Sequence, residues 1–240
     1  MRLAGLTFMV AALALGLVAC KKEEVPASKE VTETTTAAEP APEKNPAPPA
    51  PAKPTFWSEV TVHEAIRAKN PGYTGEGQFQ ITPQGQVQAV ALDNCGISDL
   101  SPFADMKLMA LYLQGCPVRS IEPLAGMPLI ELYLENSAVD DLSPLKGNTT
   151  LQKLYLSGTI VKDLSPIKGL PITELNLVNS QVTDLSALEG MPVQMLWLTD
   201  TKVTDVSPLT KTPIVSLTLH RTPLTDLSPL ANTKLQRLHI

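Results

Sequence analysis

The chain has 240 residues, 43% of them hydrophobic and 18% charged, a balance that fits a folded protein of one or two domains. Its 19 Lys and Arg against 24 Asp and Glu leave a formal charge of −5, which argues against nucleic acid as a partner, since phosphates call for a basic face. Three Cys are too few for a disulfide scaffold, and three scattered His leave little material for a zinc site or a His-based catalytic centre.

Residues 1–19 read as a signal peptide. Arg2 precedes an apolar run from Leu3 to Ala19, short for a membrane span and suited to a secretory core region. The run ends Leu17-Val18-Ala19-Cys20, which resembles the lipobox of bacterial lipoproteins. That resemblance implies cleavage before Cys20 and fatty acyl chains, palmitate among them, on its sulfur and new amine. Several chains anchor stably where one is marginal. Position 21 is Lys rather than Asp, which by the same resemblance favours the outer membrane over the inner one; which side of it the protein faces stays open.

Residues 20–55 are the expected tether. Eight of the 22 prolines lie between Lys21 and Pro54, with no aromatic residue and only Val25 and Val31 as large apolar side chains. Such a stretch cannot bury enough surface to offset chain entropy. Five Lys against six Glu nearly cancel. The Pro/Ala-rich second half suits a semi-rigid spacer, and the whole reaches roughly 100 Å at ~3.1 Å per residue.

Residues 56–86 differ from everything after them. Thr61-Val-His-Glu64 looks like a capping box that opens a helix running to about Lys69, and Asn70-Pro71-Gly72 ends it. Phe79–Ile81 and Val87–Leu92 read as strands joined around Pro83–Gly85, a hairpin pattern.

Residues 87–240 are a repeat. Copies of Asp-Leu-Ser-Pro start at Asp99, Ser120, Asp141, Asp163, Asp184, Asp205 and Asp226, at spacings of 21, 21, 22, 21, 21 and 21. A Leu-x-Leu unit keeps the same step from Leu111 to Leu219, with degenerate copies at Val90–Leu92 and Leu238–Ile240. Two leucines of a short strand face one way and the residue between them the other. No single unit can bury its leucines, so stacking them must build the core beneath a parallel sheet. Ser as cap and Pro at the first helical position predict a 3₁₀ or short helical turn on the back of each coil. Gly126, Gly147, Gly169 and Gly190 then break it. The expected fold is an α/β repeat, mostly β: a solenoid with a parallel concave sheet, short helical turns on its convex side and residues 56–86 as the N-terminal helix/hairpin cap. Phe56, Trp57, Ile66, Tyr73 and Phe79 are expected to pack on the first coil.

The repeated x-V-x-D-L-S-P-L-x-G-x-P-L resembles the leucine-rich repeats of bacterial internalin-like proteins over about residues 87–240. The family's usual Asn after the strand is replaced by Cys95, Cys116, Ser137, Thr159, Ser180, Thr201 and Thr222, and the hydroxyls of the Ser and Thr can still satisfy a buried backbone group. With no immunoglobulin-like module or cell-wall sorting signal following, host-cell invasion is not carried over. The motif is specific for fold and poor for function.

The middle residues of the strands form one outward column: Ala91, Tyr112, Tyr133, Tyr155, Asn176, Trp197, Thr218 and His239. Three of the four Tyr and one of the two Trp stand there. Exposed Tyr and Trp are enriched at interfaces, so Tyr112, Tyr133, Tyr155, Asn176, Trp197 and His239 are the candidate ligand contacts. Cross-strand packing is the competing reading. Gln114, Glu131, Glu135, Lys153, Ser157 and Glu174 flank the tyrosines, and His220, Arg237 and His239 make the far end more basic. A protein or peptide segment suits such a face; so does a sugar chain, whose rings stack on aromatics.

The six repeated aspartates sit at turn starts, where an acid favours the positive end of a helix, and the glycine-rich ligand turns of calcium repeats are absent. Cys95 and Cys116 occupy equivalent places in consecutive coils, within disulfide range, though equivalent side chains point the same way and favour two buried thiols. His220 and His239 lack further metal ligands, and no nucleophile–base set or phosphate loop is present. The reading is therefore non-catalytic, without cofactor or metal. The last strand, Leu238–Ile240, has an open edge that allows pairing with a second copy, but Lys234, Arg237 and the terminal carboxylate blunt it and favour a monomer.

Overall fold

A computed structural model describes residues 56–240. The signal peptide, Cys20 and the tether lie outside the described residues.

The chain opens with helix α1, Glu59–Lys69. Its cap is Ser58, three residues earlier than the sequence pattern suggests. The Thr61 backbone N–H donates to the Ser58 hydroxyl at 3.3 Å, and the Ser58 N–H donates to Thr61 Oγ1 at 2.9 Å. Thr61 thus stands at the third helical position and returns the bond, a role usually taken by Glu or Gln. A threonine filling both halves of such a motif made it read as the start.

Strands β1 (Gln78–Ile81) and β2 (Val87–Ala91) form the expected antiparallel hairpin. Seven further strands follow, β3 (Ala110–Tyr112), β4 (Glu131–Tyr133), β5 (Lys153–Tyr155), β6 (Glu174–Asn176), β7 (Met195–Trp197), β8 (Ser216–Thr218) and β9 (Arg237–His239). From β2 onward each pairs in parallel with the next, giving one nine-stranded sheet in chain order. Register is uniform: Leu111 lies opposite Leu132, Leu132 opposite Leu154, and so on to Leu238. A slip of one residue would turn every leucine outward, so burial of this column sets the register.

Leu111, Leu132, Leu154, Leu175 and Leu217 are fully buried. The second leucines, Leu113 to Leu198, lie equally deep, as do Val118, Val139, Val161, Val182 and Val203 from the loops. One continuous core therefore runs under all the coils, and each coil is stable only against its neighbours.

Seven 3₁₀ turns return the chain along the convex side, from Ser101–Phe103 to Ser228–Asn232. Here serine is not the cap. Asp141 Oδ1 accepts the Ser143 backbone N–H at 2.8 Å and Oδ2 accepts the Ser143 hydroxyl at 2.7 Å. The same pair of bonds recurs from Asp163, Asp184, Asp205 and Asp226. Asp99 accepts the backbone bond as well, and Ser120 does the work in the one coil that lacks the acid. The orphan N–H of each turn is thus met by the residue two before it.

A second column needs left-handed backbone just after each strand. Asn94, Gly115, Asn136, Gly158, Asn179, Asp200 and Arg221 all have φ between 53° and 70°. Gly, Asn and Asp tolerate that region; Arg221 is the misfit. Its guanidinium pairs with the Asp200 carboxylate in the coil before.

The cap is fastened by Asn70, which is buried. Its Nδ2 donates to the carbonyls of Ile66 and Asp99, and its Oδ1 accepts the N–H groups of Ser98 and Asp99. Three of the four bonds of this one side chain reach the first coil and the fourth closes the end of α1. Ile66 and Tyr73 are buried against that coil, with Trp57 and Phe79 half-buried beside them. Phe56 departs from expectation: it is 59% exposed and lies over the hairpin turn at Gly85.

Candidate functional site: an aromatic ladder on the concave face

Each of β3–β8 shows the burial pattern of one buried leucine between two half-exposed residues, and all of β9 is exposed. The strands thus present a central column, flanked by one row before it and one after it. The central column brings Tyr112, Tyr133 and Tyr155 onto adjacent strands in register. Ring centroids are 4.7 Å apart for Tyr112–Tyr133, with planes at 34°, and 4.3 Å apart for Tyr133–Tyr155, with planes at 14°. Trp197 reaches back past Asn176 and meets Tyr155 at 5.9 Å. Four aromatic residues therefore make one unbroken stack.

This geometry decides what the ladder can offer. Rings packed along the sheet cover the faces they turn to one another, and Tyr133 is covered on both sides. Cross-strand packing of the rings, posed in the sequence as an alternative to ligand contact, is therefore present as a fact.

The hydroxyls are directed by acids. Tyr112 Oη donates to Glu131 Oε2 at 2.7 Å, and Tyr155 Oη donates to Glu174 Oε2 at 2.9 Å. Lys153 Nζ lies 3.1 Å from the other oxygen of Glu131. Burial, then the bonded carboxylate, drive the phenols of Tyr112 and Tyr155 well above their ordinary range. Burial, then the Glu131 charge, push Tyr133 up to about 12. All three stay protonated at neutral pH.

Glu135 is half-buried and forms no ion pair among the described residues. Desolvation, then the charge of Asp93, raise its carboxyl. Asp93 accepts the Gln114 N–H at 2.8 Å, yet loss of hydration raises it too. Across β2–β6 the concave face carries four carboxylates, Asp93, Glu131, Glu135 and Glu174, against Lys153. Beyond β6 it bears His220, Arg237 and His239, all exposed, with the two imidazoles 6.5 Å apart. Asn176 turns inward on its own strand end, accepting the Val178 N–H at 3.1 Å.

The residues that replace the usual post-strand Asn behave unequally. Thr159, Thr201 and Thr222 donate to the carbonyl three residues back, at 2.7, 2.7 and 2.9 Å. Ser137 and Ser180 are buried and their hydroxyls find no partner in the protein, contrary to the expectation that each would satisfy a backbone group. The γ-methyl of threonine restricts χ1 and holds the hydroxyl on its carbonyl; serine lacks that restraint. Cys95 and Cys116 are free, buried thiols. Each donates to a separate carbonyl, Asp93 at 3.4 Å and Leu92 at 3.0 Å. Among the described residues, no group of three metal-ligating side chains comes together.

No family model and no curated protein matches the sequence. Solved structures do match. An internalin of Listeria monocytogenes, InlF, superposes over 77% of this chain and 56% of its own, with a TM-score of 0.60 and 27% identity. Internalin C2 of the same organism superposes over 74% of this chain and 91% of its own, with a TM-score of 0.54 and 24% identity. The chain thus spans little more than half the length of InlF. Uniform register, one leucine core and a backbone similar to these internalins together give the chain the fold of a leucine-rich repeat solenoid.

Proposed function

We propose that this is a non-catalytic, lipid-anchored repeat protein that holds an extracytoplasmic protein or peptide on its concave face. The observation that carries the reading is the four-membered aromatic stack with its acid-directed hydroxyls. Tyr and Trp edges beside hydrogen-bonding groups are the usual material of protein interfaces. A sugar ring needs an open aromatic face, and the two inner rings, Tyr133 and Tyr155, have aromatic neighbours on both sides, which favours a protein over a glycan there. The anchor would be acyl chains on Cys20, the site would stand off the outer membrane on the tether, and the protein would act as a monomer.

The test is photo-crosslinking in intact cells, with a photoreactive residue at Tyr133 and a matched probe on the convex side at Lys168. A discrete protein adduct from Tyr133 alone is the expected result. Equal labelling from both positions, or none, removes the concave face as a protein site, and cosedimentation with purified peptidoglycan then becomes the deciding assay.

A further inference from the structure

The concave face is divided by charge. On β2–β6 four carboxylates surround the tyrosine stack and Lys153 is the one cation among them, already held by Glu131. On β7–β9 the face carries no carboxylate, and Arg237, His220 and His239 stand exposed.

The acids of the first half are not arranged to satisfy each other. Glu131 has both oxygens engaged, by Lys153 and Tyr112. Glu174 has one oxygen on Tyr155 and forms no ion pair among the described residues. Glu135 is half-buried beside Tyr133 and has no ion pair among the described residues. The phenols of Tyr112 and Tyr155 have spent their protons on Glu131 and Glu174, so toward solvent they offer lone pairs only. The groove floor is therefore rich in acceptors and carboxylates, with Lys153 as its one cation among the described residues.

A ligand that complements such a floor must bring donors and positive charge. Resting on the protein-binding reading above, we infer that the tyrosine ladder of β3–β5 receives an extended segment bearing Arg or Lys side chains, held between Glu135 and Glu174. Arginine suits it well, because a planar guanidinium can lie along ring edges and fork onto a carboxylate. The tether of this same chain is a poor occupant: its five Lys are outweighed by six Glu. The half-buried state of Glu135 means that cation capture would restore a partner to a carboxylate whose hydration folding has removed.

The test uses the full chain and two fluorescent 12-residue peptides, alternating Arg–Gly and alternating Glu–Gly, titrated by anisotropy at low and physiological salt. The Arg peptide is expected to bind and the Glu peptide not. The double variant Glu135→Gln/Glu174→Gln is expected to weaken Arg-peptide binding at least tenfold. The convex double variant Asp163→Asn/Asp205→Asn, which removes the same charge elsewhere, is expected to leave it unchanged. Equal losses in both variants, or preference for the Glu peptide, overturn the proposal; so does binding replaced by self-association, seen as a mass that rises with concentration. The two readings fail differently. A protein adduct at Tyr133 in cells that survives Glu135→Gln/Glu174→Gln keeps the protein-binding face and removes its cation preference. No adduct at Tyr133 together with no Arg-peptide binding removes both.

Discussion

The convex and concave faces both carry a column of acids, and the two columns do opposite things. On the convex side Asp141, Asp163, Asp205 and Asp226 each take two bonds from the serine two residues on, and those bonds hold their carboxyls below the usual range. On the concave side Asp93 and Glu135 lose hydration without gaining a cation, and their carboxyls rise. Repetition of an acid is thus no guide to its role. A carboxylate whose partners lie two residues away is part of its own turn. One that is desolvated without an ion pair among the described residues, as Glu135 is, is available to something outside the chain.

The comparison can be broken most severely at the core both faces share. Leu154→Ala is expected to cost about 2–5 kcal/mol in denaturant unfolding and to abolish binding with it. Asn70→Ala, which strips four bonds from the cap while touching neither face, is expected to cost about 2–4 kcal/mol and leave residual folded protein binding normally. If the cap variant binds more weakly at full folding, the concave face is not independent of it.

Tyr133→Ala should cost about 1–3 kcal/mol, because it opens the stack in the middle and removes contacts on both sides. Tyr133→Phe should cost nearly nothing in stability, since the rings still stack. A large loss from the Phe variant would mean that the hydroxyl, not the ring, holds the ladder.

Acid sharpens the contrast by sign. The convex aspartates have lowered folded values, so their contribution is present above the ordinary carboxylate range and is lost as pH falls through those folded values. Asp93 and Glu135 have raised values, so their contribution is present below that range and is lost as pH rises through them. Asp141→Asn/Asp163→Asn should therefore flatten the acid limb of a thermal-midpoint profile, while Glu135→Gln should raise midpoints near neutrality. A profile unchanged by either would erase the distinction. Arg-peptide affinity should fall on acidification with an apparent midpoint above the ordinary 4.5 of a glutamate.

The smallest effects lie in the post-strand column. Ser137→Thr is expected to gain about 0.5–1 kcal/mol by directing a hydroxyl to a carbonyl, as Thr159 does. Ser137→Ala should be neutral or slightly stabilising. A clear loss from Ser137→Ala would show that the serine hydroxyl is satisfied after all.

Most of the fold was legible because the chain writes it many times. A 21-residue step with paired leucines needs neighbours to bury them, and the strands and convex turns follow from that alone. The misreadings come from single-copy or ambiguous chemistry. Thr61 looked like a cap because Ser58 and Thr61 are each plausible in that role. Serine reads as the cap of every turn by residue type, whereas an aspartate two residues earlier does that work in six of the seven. Phe56 was placed on the core by residue type, whereas it lies over Gly85.

The sequence by itself determined the repeat, the inward leucine column and the membership of the outward column, since these depend only on spacing and on the two-residue period of a strand. It left the site's character undecided. Whether rings show faces or edges depends on side-chain torsions set by neighbours a coil away. Whether an acid is spent or available depends on donors from other coils. Only the tertiary structure turned three tyrosines into one closed stack and left Glu135 half-buried without an ion pair among the described residues.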